Sequence, residues 1–153
     1  MKATLETINA MQAEGVIGKY AIGGAVGATF YLEPSATLDV DIFVALPTNR
    51  QGEHIIIGNW PVQFLPASDR LEIEALEQAV PTEVEGVRTW VMSAEHLVAI
   101  ALRTGRSKDY ARILQFVEAE AVDRTRLERL LIRHGLLSRW ELFKTRYLED
   151  SDG

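Results

Sequence analysis

The sequence predicts an α/β (α+β) fold in which a small mixed β-sheet flanked by helices is followed by a helical C-terminal half. Short strand-like apolar runs all end before residue 92, and helical periodicity continues after it. The chain has 153 residues, of which 47% are hydrophobic and 25% charged, which suits one domain with its own core. We therefore predict a single domain over residues 1–153, with an α/β core over 1–92 and a helical part over 93–148.

The first half is predicted to alternate helices with short strands. An amphipathic helix over 4–14 ends at Gly15, and a strand over 20–22 runs into the pair Gly23-Gly24 before a second helix over 25–32. The other elements predicted here are strands over 37–46, 54–57 and 62–65, a helix over 67–79 with Ser68 or Asp69 as N-cap, and a strand or hairpin over 84–91.

The second half is predicted to be helical throughout. Gly135 ends one helix, and Ser138 with Glu141 three residues later is typical of a capping box that starts the next. Trp140, Phe143 and Tyr147 recur at helical spacing, which indicates a core or an oligomer face. The predicted helices cover residues 93–103, 107–118, 123–134 and 138–148.

The composition excludes several classes of protein and of site. No run of eighteen apolar residues occurs, and the N-terminus lacks the apolar stretch of a signal peptide, so we expect a cytoplasmic protein with no membrane partner. The absence of cysteine excludes disulfides and thiol catalysis, and the three histidines lack a metal-binding spacing. Any metal ion must therefore be held by oxygen.

Two alternating carboxylates stand out in the strand predicted over 37–46. Asp39 and Asp41 project from the same face of a strand, where their like charges repel. A hard cation such as Mg²⁺ takes oxygen ligands and is often shared with substrate phosphates, so the pair is a candidate metal site. The alternative is a strand edge with two solvated aspartates.

The pair Gly23-Gly24 precedes these carboxylates and follows a strand. Such glycines let the backbone approach a ligand closely, and the helix behind them offers free N–H groups to a phosphate. Ser35 and Thr37 lie just before the carboxylates, where their hydroxyls could bind phosphate or cap the turn. The alternative for the glycines is a tight turn packed against a neighbouring element.

The order of these motifs resembles the nucleotidyltransferase fold, especially the branch of AbiEii-type toxin nucleotidyltransferases and minimal nucleotidyltransferases. The resemblance rests on AIGGA at 21–25, SATLDVDIF at 35–43 and LRTGRSKD at 102–109. It implies transfer of a nucleoside monophosphate from a nucleoside triphosphate to an acceptor hydroxyl on RNA or protein. Asp39 and Asp41 would be the catalytic residues that bind Mg²⁺ or Mn²⁺, and the toxin branch implies an antitoxin as partner.

The same resemblance extends to phosphate binding by the two glycines and by Lys108, which follows Ser107, the expected cap of its helix. Arg106 is a further phosphate candidate because a guanidinium suits phosphate oxygens. The structural alternative for Lys108 is an ion pair with Asp109, which could also pair with Arg103 or Arg112 and position that helix.

One position departs from the family pattern. A third carboxylate is expected on the strand over 62–65, where this chain has Gln63, whose amide cannot accept a proton as a carboxylate does. Either another acid substitutes for it, with Glu53, Asp69 and Glu72 as candidates, or the protein binds a nucleotide or a partner without catalysis.

A further alternative rests on the charge distribution. Residues 1–102 carry five Lys/Arg against thirteen Asp/Glu, whereas residues 103–146 carry eleven against six. The helical half could therefore bind nucleic acid, although a solvated helix surface carries the same residues.

Overall fold

A computed structural model describes residues 1–32, 40–44 and 54–148, with the backbone alone at positions 40, 44 and 54. It divides the chain into two compact units, Met1–Ser93 and Ala94–Gly153, here called the first and second unit. The first unit combines helices with a sheet, and the second is helical, so the α/β class with a helical C-terminal half is confirmed. The single-domain organisation stays a prediction.

The first unit contains three helices and six strands in the ranges described. The first helix begins two residues earlier than predicted and ends at Ala13, and Gly15 follows in the left-handed conformation with φ 78°. The bounds are α1 Lys2–Ala13, β1 Tyr20–Gly23, α2 Gly24–Ala28, β2 Val40–Val44, β3 His54–Ile57, β4 Trp60–Pro66, α3 Arg70–Glu77, β5 Val80–Val84 and β6 Val87–Val91.

The six strands form one mixed sheet in the order β3-β4-β2-β1-β6-β5. The pairs β2/β4 and β1/β6 are parallel, and the other neighbours are antiparallel. Strand β2 therefore lies inside the sheet between β1 and β4, so both of its edges are paired along the described residues.

One face of the sheet carries the main apolar core. Tyr20, Ile22, Ile42 and Phe64 alternate along their strands and are at most 1% exposed. Helix α1 adds Leu5 and Ile8 to the same cluster, in keeping with the apolar face predicted for it. The core residues of three neighbouring strands thus point to one face, and the residues between them must point to the other.

Two tight hairpins set the outer parts of the sheet. Gly58 and Asn59 both have positive φ and join β3 to β4, with Ile57 paired to Trp60. Glu85 and Gly86, with φ 51° and 83°, join β5 to β6, so the hairpin alternative for 84–91 is confirmed and its first strand begins earlier, at Val80. Two-residue turns with positive φ match the twist of antiparallel strands.

Helix α2 is much shorter than predicted. It covers five residues instead of eight, and the chain continues as a series of turns to Leu32. Three glycines within residues 23–27 and the β-branched Val26 lower helix propensity here, and the hydroxyl of Thr29 donates to the Val26 carbonyl at 2.6 Å, which favours termination.

The second unit consists of helices α4 Ala94–Thr104, α5 Ser107–Glu118, α6 Arg124–Arg133 and α7 Leu137–Phe143, followed by a π-helical turn over Lys144–Leu148. The predicted capping box of Ser138 and Glu141 is wrong, because Leu136 is the N-cap and Ser138 lies inside the helix. Gly135 does follow α6 with φ 71°, and the buried Leu136 and Trp140 place the next helical turn directly after it. No helix in the described ranges is long and apolar enough to cross a membrane.

Candidate active site

A row of three positions crosses the centre of the sheet on the face opposite Ile42. Gly23 of β1 is paired with Asp41 of β2, and Asp41 is paired with Gln63 of β4. Paired residues of adjacent strands point to the same face and lie about 4.8 Å apart in the backbone. The carboxylate of Asp41 and the amide of Gln63 are therefore neighbours, and both side chains are partly exposed.

The glycine turn lies directly against the Asp41 carboxylate. Gly24 has φ 60°, in the left-handed region that favours glycine, and a Cβ at this position would collide with Oδ2 of Asp41. Gly24 therefore leaves the space that the carboxylate occupies. The sequence predicted both features, and the structure brings these two residues together.

Gly23 is required for a different reason. A Cβ there would lie 2.6 Å from Cε2 of Phe43 and 3.1 Å from Sδ of Met92, both of which are buried. The first glycine thus allows close packing of β1 against its neighbours, and the second accommodates the carboxylate. Helix α2, which follows these two glycines, has only five residues. The dipole at its N-terminus is therefore that of little more than one helical turn.

Several predicted site residues lie outside the described ranges: Asp39, Ser35, Thr37 and Glu53. The two other candidates for a third acid, Asp69 and Glu72, act at the start of α3. Asp69 accepts the Glu72 N–H at 2.8 Å, and Glu72 accepts the N–H of Ser68 at 3.0 Å and its hydroxyl at 3.2 Å. Asp69 rather than Ser68 is thus the N-cap, and across residues 1–32, 40–44 and 54–148 no three carboxylate or imidazole groups cluster as metal ligands.

The strand pairing adds one residue, His54, that was not predicted to be near the site. His54 of β3 is paired with Gln63, so its backbone is the fourth position of the row that starts at Gly23. The signal was present in the sequence: a Gly-Asn turn between two apolar runs predicts a two-residue hairpin, which fixes the pairing on both sides of it.

The phosphate candidates Arg106 and Lys108 lie in the second unit. Arg106, rather than Ser107, is the N-cap of α5, and its Nε donates to Oδ2 of Asp109 at 2.7 Å while its backbone N–H donates to the same oxygen at 3.1 Å. Asp109 also pairs with Arg112 at 3.9 Å, one of the two partners predicted for it. Lys108, in the first turn of α5, is exposed.

The charge state of Asp109 follows from these contacts. Burial raises the pKa of its carboxyl group, but the hydrogen bonds from the side chain and backbone of Arg106 and the charges of Arg106 and Arg112 lower it by more. The net pKa lies below its usual range, so Asp109 is ionised at neutral pH. Arg106 is held by this carboxylate and serves the start of the helix.

Much of the basic charge of the second unit is used internally. Arg126 pairs with Glu95 at 3.3 Å, and Arg139 donates to the Arg103 carbonyl at 2.6 Å. Lys144 pairs with Glu141 at 3.2 Å and lies 6.0 Å from the ring centroid of Trp140. These contacts favour a structural role for the basic residues of the second unit over the alternative role in binding nucleic acid.

The row contains the kind of side chain that binds a hard cation. Mg²⁺ takes oxygen ligands, and the carboxylate of Asp41 and the amide oxygen of Gln63 are oxygen donors at adjacent positions. The space left by the missing Cβ of Gly24 is filled by one of these donor oxygens. An ion here would be held by Asp41 first, with Gln63 as a neutral second donor.

Comparison with known proteins identifies the fold. No protein-family model and no curated protein matches the sequence. Two solved structures are similar in fold. One is an antigenic nucleotidyltransferase-like protein from Paracoccidioides brasiliensis, with a TM-score of 0.53 and 10% sequence identity over 77% of this chain and 73% of that chain. The other is the antibiotic-resistance factor ANT(2'')-Ia, a nucleotidyltransferase, with a TM-score of 0.51 and 17% sequence identity over 95% of this chain and 96% of that chain. These two structural likenesses agree with the Gly-Gly turn and with the acidic strand that lies between β1 and β4. This chain therefore has the nucleotidyltransferase fold.

Proposed function

We propose that the protein is a Mg²⁺-dependent nucleotidyltransferase that moves a nucleoside monophosphate from a nucleoside triphosphate to an acceptor hydroxyl on RNA or protein. The contact between the left-handed Gly24 and the Asp41 carboxylate carries the proposal. A core-forming strand places an ionisable, partly exposed carboxylate against a glycine turn, and this combination suits a metal ion and a phosphate that approaches the backbone closely. The fold shared with the nucleotidyltransferase-like protein and with ANT(2'')-Ia supports the same reaction class.

The roles of the chain's own residues follow from their places. Asp41, together with the predicted Asp39, would hold the metal ion, and the Gly23-Gly24 turn would let the phosphates approach the carboxylate without a side chain between them. The bound metal would neutralise phosphate charge and lower the pKa of the attacking hydroxyl. Ser35 and Thr37 are proposed phosphate contacts, and an antitoxin or a second copy of the chain is the proposed partner.

The proposal is tested by incubating the protein with labelled nucleoside triphosphates, Mg²⁺ and RNA or protein acceptors. Asp41→Asn keeps the size of the side chain and removes its charge, so it should reduce transfer by roughly a hundredfold or more. Glu83→Gln is the matched control, because it removes the same charge from an exposed position on the edge strand β5. Transfer that is equal in Asp41→Asn and wild type would refute the proposal.

A second candidate function is supported by Gln63. Its position beside Asp41 is where a general base would be useful, and an amide cannot serve as one. On this alternative the protein binds nucleoside triphosphate without turning it over. Calorimetry would then detect Mg²⁺-dependent binding that Asp41→Asn abolishes, while the transfer assay stays at background.

Gln63→Glu separates the two functions. Two carboxylates about 5 Å apart repel by about 1 to 3 kcal/mol at effective dielectric constants between those of water and a protein surface. The variant should therefore melt at a lower temperature in chelator and gain more from Mg²⁺ than wild type. A rise in transfer from background in wild type to a measurable level in Gln63→Glu favours the non-catalytic function of the natural chain, whereas transfer that is above background in wild type and falls in Gln63→Glu favours the enzyme. Gln78→Glu, exposed at the end of α3, is the control for added charge.

A further inference from the structure

The backbone around the glycine turn is tied together by a residue from a distant part of the first unit. Met92 follows β6 and is fully buried. Its N–H donates to the carbonyl of Ile22 at 3.0 Å, immediately before Gly23. Its Sδ lies 3.1 Å from the place where a Cβ of Gly23 would be. Met92 therefore contacts the chain at the entrance to the turn through both its backbone and its side chain.

The same residue receives a contact from the chain beyond the turn. The hydroxyl of Tyr31 donates to the Met92 carbonyl at 2.9 Å across 61 residues of sequence. Tyr31 closes the series of turns after α2, where its own N–H and that of Leu32 both donate to the Ala28 carbonyl, at 3.0 and 2.9 Å. The hydroxyl thus connects the exit of the Gly23–Leu32 segment to the residue that holds its entrance.

We propose that Tyr31 is a positioning residue for the glycine turn, and that its hydroxyl, acting through Met92, keeps the turn in the conformation that places Gly24 against Asp41. A helix of five residues that includes two glycines is too short to hold this conformation alone. Two hydrogen bonds to one buried residue close the segment at both ends. The effect on nucleotide affinity rests on the proposed function, whereas the effect on the backbone does not.

Tyr31→Phe removes the hydroxyl and keeps the ring, so it tests the hydrogen bond alone. Loss of one partner of a buried carbonyl should accelerate local opening by roughly tenfold. We expect the amides of Leu32 and Met92 to exchange with deuterium about that much faster, measured residue by residue by NMR, while the amide of Val62 in β4 keeps its wild-type rate. Tyr147→Phe makes the same chemical change in the second unit and should alter none of these rates.

In the transfer assay Tyr31→Phe should raise KM for the triphosphate several-fold and change kcat less, since the turn would bind phosphates and the proposed role of Tyr31 is to position that turn through Met92. Unchanged exchange at Leu32 and Met92 would overturn the inference. Equal acceleration across the sheet, including Val62, would also overturn it, because Tyr31 would then stabilise the fold generally. Faster exchange at Leu32 and Met92 in a protein that neither binds nor transfers nucleotide would uphold the role of Tyr31 and refute the proposed function.

Discussion

Gly24→Ala gives the sharpest test of the contact on which the site depends. The substitution has two costs that the structure separates. An alanine at φ 60° is strained by roughly 1 to 2 kcal/mol, and its methyl group would displace the Asp41 carboxylate, which adds overpacking of about 1 to 3 kcal/mol. We therefore expect Gly24→Ala to lower the free energy of unfolding by roughly 2 to 5 kcal/mol.

Gly86→Ala supplies the control for the strain alone. Gly86 also has positive φ, 83°, and no described atom lies within 4 Å of a Cβ built there. It should cost only about 1 to 2 kcal/mol. Urea denaturation followed by circular dichroism and tryptophan fluorescence measures both variants, and Trp60 and Trp90 report on the first unit.

A double-mutant cycle isolates the carboxylate contact. In an Asp41→Ala background the extra cost of Gly24→Ala over Gly86→Ala should disappear, because the displaced group is gone. If the two glycine variants are equally stable, or if the extra cost persists without the carboxylate, the Asp41 carboxylate does not fill the space beside Gly24.

Two further predictions concern titratable residues outside the site. Tyr20→Phe removes the hydroxyl that lies 2.7 Å from Asn9 Oδ1 and 2.9 Å from Thr89 Oγ1, and it should cost about 1 to 3 kcal/mol in urea denaturation. Burial raises the pKa of Tyr20, and the Thr89 hydrogen bond lowers it by less, so wild type should lose stability as the pH rises above about 10 and Tyr20→Phe should lose less. Asp109→Asn weakens the contacts to Arg106 and should cost about 2 kcal/mol at pH 7. Because the folded pKa of Asp109 is lowered, this stabilisation is fully present above about pH 4 and is lost as the pH falls further through the lowered folded pKa, so the difference in melting temperature between variant and wild type should shrink as the pH falls below about 4.

Hydrophobic periodicity correctly predicted the helices whose positions are decided by the packing of their apolar residues. The fully buried Leu5 and Ile8 of α1 and the helix over Ser107–Glu118 follow directly from the positions of their apolar residues. The left-handed residues Gly15 and Gly135 also mark helix ends as predicted, since glycine adopts positive φ without strain.

The errors arose where a neighbour distant in sequence, or a competing local contact, decides the outcome. Ser138 has the right spacing from Glu141 for a capping box, but burial of Leu136 starts the helix earlier. Arg106 matches phosphate chemistry in sequence, and only the structure shows that the buried Asp109 holds it. The Tyr31 contact joins residues 61 positions apart, which no local pattern reveals.

The position of the candidate site is a consequence of the core. In the pairing of β1 with β2, Ile22 lies opposite Ile42 and Gly23 lies opposite Asp41. A shift of one residue would place Asp41 on the core face and bring Ile42, now fully buried, to the outer one. Leaving Ile42 exposed would forfeit about 1.5 to 3 kcal/mol, and an unpaired buried carboxylate would cost several more. The apolar residues therefore fix the strand alignment that brings the carboxylate to the glycine turn, although none of them takes part in the proposed chemistry.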